Sequence, residues 1–127
     1  MRTRRPIAVR SALPIAAVLS LLGIAQIATG HAILKETSPT ANAKVTGPDV
    51  NIRLKYNVRI DAARSKVQLM TPDNTMVELK LDPPASPDTL TCKATGLKPG
   101  AYKIAWQVLA SDGHITRGLV PFTVTGP

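Results

Sequence analysis

Hydrophobic and polar residues alternate along much of the chain, and the clearest case is Val50, Ile52, Leu54, Tyr56 and Val58 set between Asn51, Arg53, Lys55 and Asn57. A period of two places all the apolar side chains on one side of an extended backbone, so this stretch reads as a half-buried β-strand. Val67 and Leu69 repeat the pattern. Thr71-Pro72-Asp73-Asn74 supplies turn residues, and Val77, Leu79 and Leu81 resume the alternation, which predicts a hairpin. The prolines at 83, 84 and 87 make residues 82–88 a loop, and Leu90 to Ala94 is long enough for another short strand. Leu97-Lys98-Pro99-Gly100 then leads into Tyr102, Ile104, Trp106 and Val108, and Val120, Phe122 and Val124 form the last strand. Near the front, Ala32-Ile33-Leu34 enters a sheet before Ser38-Pro39-Thr40-Ala41-Asn42 interrupts it, because proline lacks the N–H a ladder needs.

Six or seven short strands, with no helical period and no internal repeat after residue 31, predict an all-β fold, a small antiparallel β-sandwich or barrel. A tyrosine just past a Pro-Gly turn resembles the tyrosine corner of Greek-key sandwiches, which assigns Tyr102 to the core boundary. Trp106 is expected to anchor the core.

The front of the chain follows a different pattern. Arg2, Arg4, Arg5 and Arg10 precede an apolar run over residues 12–28, and Ala28-Thr29-Gly30 places small residues before His31. This is the arrangement of a cleaved signal peptide over residues 1–30, leaving one domain over residues 31–127. Pro14, Ser20 and Gly23 interrupt the run and weaken it as a membrane span of about 20 residues. Thr3-Arg4-Arg5-Pro6-Ile7 also hints at twin-arginine export, and either route predicts a periplasmic or secreted protein. Removing residues 1–30 leaves 12 basic against 8 acidic side chains, a net of +4. The basic residues that remain are scattered, so no stripe argues for nucleic acid. Cys92 is the single cysteine, so no internal disulfide is available and stability must come from the core. Its neighbours suit a small buried hydrophobe.

The candidate chemistry lies in two places. The chain has two histidines, His31 at the predicted cleavage point and His114 in Ser111-Asp112-Gly113-His114. Cleavage before His31 frees an α-amine beside its own imidazole, a ready chelate. An uncleaved anchor would instead leave that nitrogen as an amide. Asp112 and His114 flank a glycine, and alternate residues of a tight turn aim two side chains at one point. Amine, imidazole, imidazole and carboxylate form a nitrogen-rich set that suits one Cu(II) ion best among common divalent metals. α-Amines titrate near about 7.7–8.0 in model compounds, so binding displaces a proton and strengthens as pH rises toward that value. Asp112 is either a direct oxygen ligand or a more distant charge, and Gly113 gives the turn a backbone angle closed to other residues. Met70 and Met76 bracket the hairpin turn; thioethers favour Cu(I), but two of them without a histidine fit a hairpin cap better.

Taken together, His31-Ala32, Ser38-Pro39, Leu54-Lys55-Tyr56, residues 97–106, residues 111–114, Gly118 and Phe122-Thr123-Val124 resemble the CopC copper-resistance family in order and spacing. The resemblance implies a cupredoxin-like or immunoglobulin-like sandwich in the periplasm that binds Cu(II) through the N-terminal amine and the positions of His31, Asp112 and His114. It implies a carrier or buffer of copper, of a kind that often works beside a CopD-type inner-membrane copper importer; a monomer is expected. Members with a second, Cu(I) site carry a methionine-rich hairpin with a histidine; with only Met70 and Met76 here, a Cu(II)-only member is expected. An acidic residue common after the strand ending at Tyr56 is replaced by Asn57-Val58, so the resemblance supplies no further carboxylate there. Two other functions compete with this one. A histidine brace with an open position can activate oxygen, as in a copper oxidoreductase, though few aromatics are available to bind a polysaccharide. A metal-free immunoglobulin-like binding module would be indifferent to changes at His31 and His114.

Overall fold

A computed structural model of the chain describes residues 31–126; the predicted signal peptide, residues 1–30, lies outside them. Among the described residues eight strands follow one another: β1 (Leu34–Ser38), β2 (Ala43–Thr46), β3 (Val50–Tyr56), β4 (Ile60–Met70), β5 (Met76–Leu79), β6 (Thr89–Ala94), β7 (Gly100–Ala110) and β8 (Ile115–Thr125). They form two sheets, β1-β3-β6 and β2-β8-β7-β4-β5, so the fold is a sandwich and not a closed barrel. Every pairing is antiparallel except β2 with β8, which is parallel.

Alternation decides which residues face inward. Val50, Ile52, Leu54 and Tyr56 of β3, with Leu90, Cys92 and Ala94 of β6, meet Tyr102, Ile104, Trp106, Val108, Val120, Phe122 and Val124 from the facing sheet. Each fully buried Val, Leu, Ile or Phe contributes roughly 1.5–3 kcal/mol over leaving it exposed. Among the described residues the core runs from Ala32 to Val124, all of it within a chain that begins at His31. Cys92 belongs to this core. Burial, and then the charge of Asp82, pushes its thiol up to about 11, which suits a packing residue and not a thiolate ligand.

Three local features position the rest. The Tyr102 hydroxyl donates to the Lys98 carbonyl at 2.7 Å, the bond expected of a tyrosine corner, and fixes the entry into β7. Trp106 lies over Gly118, where an added Cβ would come within 2.6 Å of its Cε2, and meets Tyr56 edge-on at 5.3 Å between centroids. The third feature is topological. Ile60 at the start of β4 pairs with Ala110 at the end of β7, and Leu34 of β1 pairs with Tyr56 at the end of β3. The first residues, the 57–59 loop and the 111–114 turn therefore gather at one end of the sandwich.

Candidate metal centre

The turn between β7 and β8 is built by its backbone. The Gly113 N–H donates to Ala110 O at 2.9 Å and the Ala110 N–H donates to His114 O at 2.9 Å. Gly113 sits at φ 89°, a conformation that disfavours any side chain, so the glycine is required by the turn. The Ser111 N–H donates to Arg59 O at 3.1 Å and ties the turn to the neighbouring loop.

Within this frame Asp112 engages His114 twice. Its Oδ1 accepts the His114 backbone N–H at 3.0 Å and its Oδ2 lies 2.7 Å from His114 Nδ1. An ionised carboxylate only accepts, so Nδ1 carries the proton, and in the neutral ring that metal binding requires Nε2 is the nitrogen with a lone pair, directed away from Asp112. The backbone N–H of His114, then its side chain, hold the Asp112 carboxyl below the ordinary carboxylate range, with smaller help from charge on His114 and His31. The His114 side chain is 60% exposed and that of Asp112 28%, so the imidazole is accessible and the carboxylate partly sheltered.

The other histidine arrives from the chain's front. Ala32 is buried at 2% exposure and leaves His31 on the surface, with the His31 and His114 rings 4.6 Å apart between centroids and tilted by 51°. All three residues singled out in the sequence are thus at one place. Among the described residues, no three His, Cys, Asp or Glu side chains form a ready-made metal cage. Two imidazoles and a carboxylate already engaged with one of them leave the shell incomplete, so an ion held here needs a further donor.

Met70 and Met76 are placed differently. They are directly paired across the β4–β5 hairpin, and Met70 also pairs with Lys103 near the start of β7. Seven residue-to-residue steps along β7 lead from Lys103 to Ala110, about 23 Å at roughly 3.3 Å per step, so the thioethers lie far from His114. Sequence reasoning missed Asn57, which touches the incoming chain: its Oδ1 accepts the Ile33 N–H at 2.7 Å and its own N–H donates to Ile33 O at 3.0 Å.

A model of the CopC domain matches residues 34–125, a span that includes Asp112 and His114 and begins just after His31. The chain is 31% identical to Protein YobA of Escherichia coli (strain K12) over 97 residues, 74% of this chain and 78% of that one. It is 27% identical over 112 residues to Copper resistance protein C of Escherichia coli, covering 82% and 89% of the two chains. Among solved structures it is similar to CopC from Methylosinus trichosporium OB3b, with a TM-score of 0.70, 31% identity, and coverage of 76% of this chain and 95% of that one. It shares its fold with PcoC, a methionine-rich copper resistance protein from Escherichia coli, at a TM-score of 0.60, 24% identity, and coverage of 75% and 99%. This chain belongs to the CopC family of copper-resistance proteins, built as a two-sheet β-sandwich.

Proposed function

We propose that the chain is a monomeric, periplasmic or exported Cu(II) carrier or buffer in copper homeostasis and resistance, holding one ion at its mature N-terminus. The observation that carries this reading is the 4.6 Å approach of the chain's two histidine rings at the end of the sandwich where the predicted mature chain begins. Cleavage after Gly30 converts the His31 amide into an amine, the extra donor the side chains lack. The His31 amine and imidazole and His114 Nε2 then offer three nitrogens to Cu(II), a preference that follows from the donor set. Asp112 acts on the ion through His114, fixing the tautomer and the ring's direction, the usual role of a carboxylate behind a metal-bound histidine.

A set of three nitrogens leaves a coordination position for water or an incoming ligand, and the exposure of His114 lets another protein reach the ion, as transfer requires. A CopD-type membrane importer is the acceptor we assign. Binding without catalysis fits the surface: Tyr56, Tyr102, Trp106 and Phe122, all the aromatics of the chain apart from its histidines, are buried, so none offers a platform for stacking sugars. With Met70 and Met76 as the thioethers of residues 31–127, distant from His114, the site is a Cu(II) site alone.

The reading is tested by Cu(II) titration of the chain beginning at His31, followed by electron paramagnetic resonance. The expected result is one tightly held ion with a nitrogen-rich spectrum, lost on His114→Ala. Binding unchanged in His114→Ala would remove the imidazole from the site.

A further inference from the structure

The ladder between β1 and β3 places Leu34 opposite Tyr56. One residue further, the Asn57 N–H donates to Ile33 O at 3.0 Å, as an antiparallel pair demands. The return bond is unusual. A continuing strand would offer the backbone carbonyl of residue 57 to the Ile33 N–H, but β3 ends at Tyr56. The Asn57 side-chain carbonyl takes that place at 2.7 Å, so one residue grips the Ile33 peptide at both its N–H and its oxygen.

Among the described residues, little else holds this peptide. The Ile33 side chain is 56% exposed, so its burial fixes nothing, and Ala32, buried at 2%, is the other fixed point before His31. Two residues further along the same loop, the Arg59 carbonyl accepts the Ser111 N–H at 3.1 Å. The 57–59 loop therefore clasps both segments that carry the histidines, Ile33 on one side and Ser111 on the other.

We propose that Asn57 is a positioning residue for the copper site: by capping the Ile33 peptide it fixes the direction in which the chain leaves β1, and with it the spacing between His31 and His114. This inference rests on the His31 site proposed above. Its physical basis is preorganisation. A chain end whose one buried side chain is the small Ala32 frays readily, and the order that Asn57 does not impose must be imposed by the ion on binding.

The test uses the chain beginning at His31 with Asn57→Ala and Asn57→Asp, measuring Cu(II) affinity by competition with a chelator, the electron paramagnetic resonance spectrum, and the metal-free melting temperature. Asn57→Ala is expected to weaken Cu(II) about three- to tenfold, the worth of one hydrogen bond, and to shift the spectrum. Asn57→Asp keeps an oxygen for the Ile33 N–H and restores the parent spectrum with affinity at least equal to the parent's. A purely structural role would lower the melting temperature of Asn57→Ala and leave its spectrum unchanged, and that result overturns the inference. The His31 site fails separately, on the parent alone: if one alanine placed before His31 changes nothing, His31 is no ligand and the positioning role falls with it.

Discussion

Replacing Asp112 by Asn isolates what the carboxylate does for His114. Asn retains an oxygen to accept the His114 backbone N–H, held at 3.0 Å in the parent, and suits the turn as well as Asp does, so the fold is preserved. The contact that changes is the one of 2.7 Å between Oδ2 and Nδ1. A carboxylate accepts there and keeps the proton on Nδ1. An amide NH2 donates instead, which turns Nδ1 into the acceptor and moves the proton to Nε2, the nitrogen assigned to copper. The ion must then expel that proton or reverse the amide, and the negative charge behind the imidazole is gone as well. Loss of such a partner generally costs about 10–100-fold in metal affinity, or roughly 1.4–2.8 kcal/mol. Because the two side chains are 28% and 60% exposed, solvent screens the charge and the lower part of the range applies, about 10–30-fold. The assay is competition for Cu(II) against a chromogenic chelator at pH 7, with melting temperatures measured alongside. A loss smaller than about threefold in a protein that melts like the parent would refute the assignment of Asp112 as the group that sets the tautomer.

Two predictions concern the scaffold. Gly118→Ala puts a Cβ within 2.6 Å of Trp106 Cε2 and 2.9 Å of Nε1, and the indole, 8% exposed and packed on Tyr56, has little room to move. The expected cost is about 1–3 kcal/mol, read as a melting temperature lowered by roughly 4–8 °C per kcal/mol; an unchanged melt would show that the ring does shift. Asp88 accepts hydrogen bonds from Ser86 Oγ at 2.7 Å and Thr89 Oγ1 at 2.8 Å, which hold its carboxyl below the ordinary value. A depressed carboxyl contributes stability above its unfolded pKa of about 3.9 and loses that contribution as pH falls through the folded value. The melting-temperature gap between the parent and Asp88→Asn should accordingly be full at pH 6 and close in strong acid, and a gap independent of pH would contradict this.

Where the sequence was legible, a strand was buried on one side and bounded by turn residues. β3 is such a strand: Val50, Ile52, Leu54 and Tyr56 are buried while Asn51 and Arg53 are exposed, and Tyr102 announced its corner through Pro99-Gly100. β2 went unread because four residues with only Ala43 and Val45 on one side carry no distinct period. Its order comes from parallel pairing with β8, a long-range partner. β4 begins at Ile60, earlier than the Val67-Leu69 pattern shows, because its first half is irregular and the register shifts between Asp61 and Lys66. Leu81 continues the alternation of β5 yet leaves that sheet to bridge Cys92 of the other. At the site, residue types pointed to His31, Asp112 and His114. Their meeting depends on which strand ends share one end of the sandwich, a property of topology. Asn57 was visible only as a missing carboxylate, since its role exists only once the β1–β3 register places it beside Ile33.

Whether the His31 amine completes the copper site is decided by a single comparison. Two purified proteins that differ only at the front, one beginning at His31 and one carrying a single alanine before it, are titrated with Cu(II) and compared by electron paramagnetic resonance. The extension leaves both imidazoles and Asp112 in place and turns the amine into an amide. With the amine as a ligand, the first protein binds one ion tightly with a nitrogen-rich spectrum, and the second binds much more weakly with an altered spectrum. Equal affinity and identical spectra would exclude the His31 amine from the site.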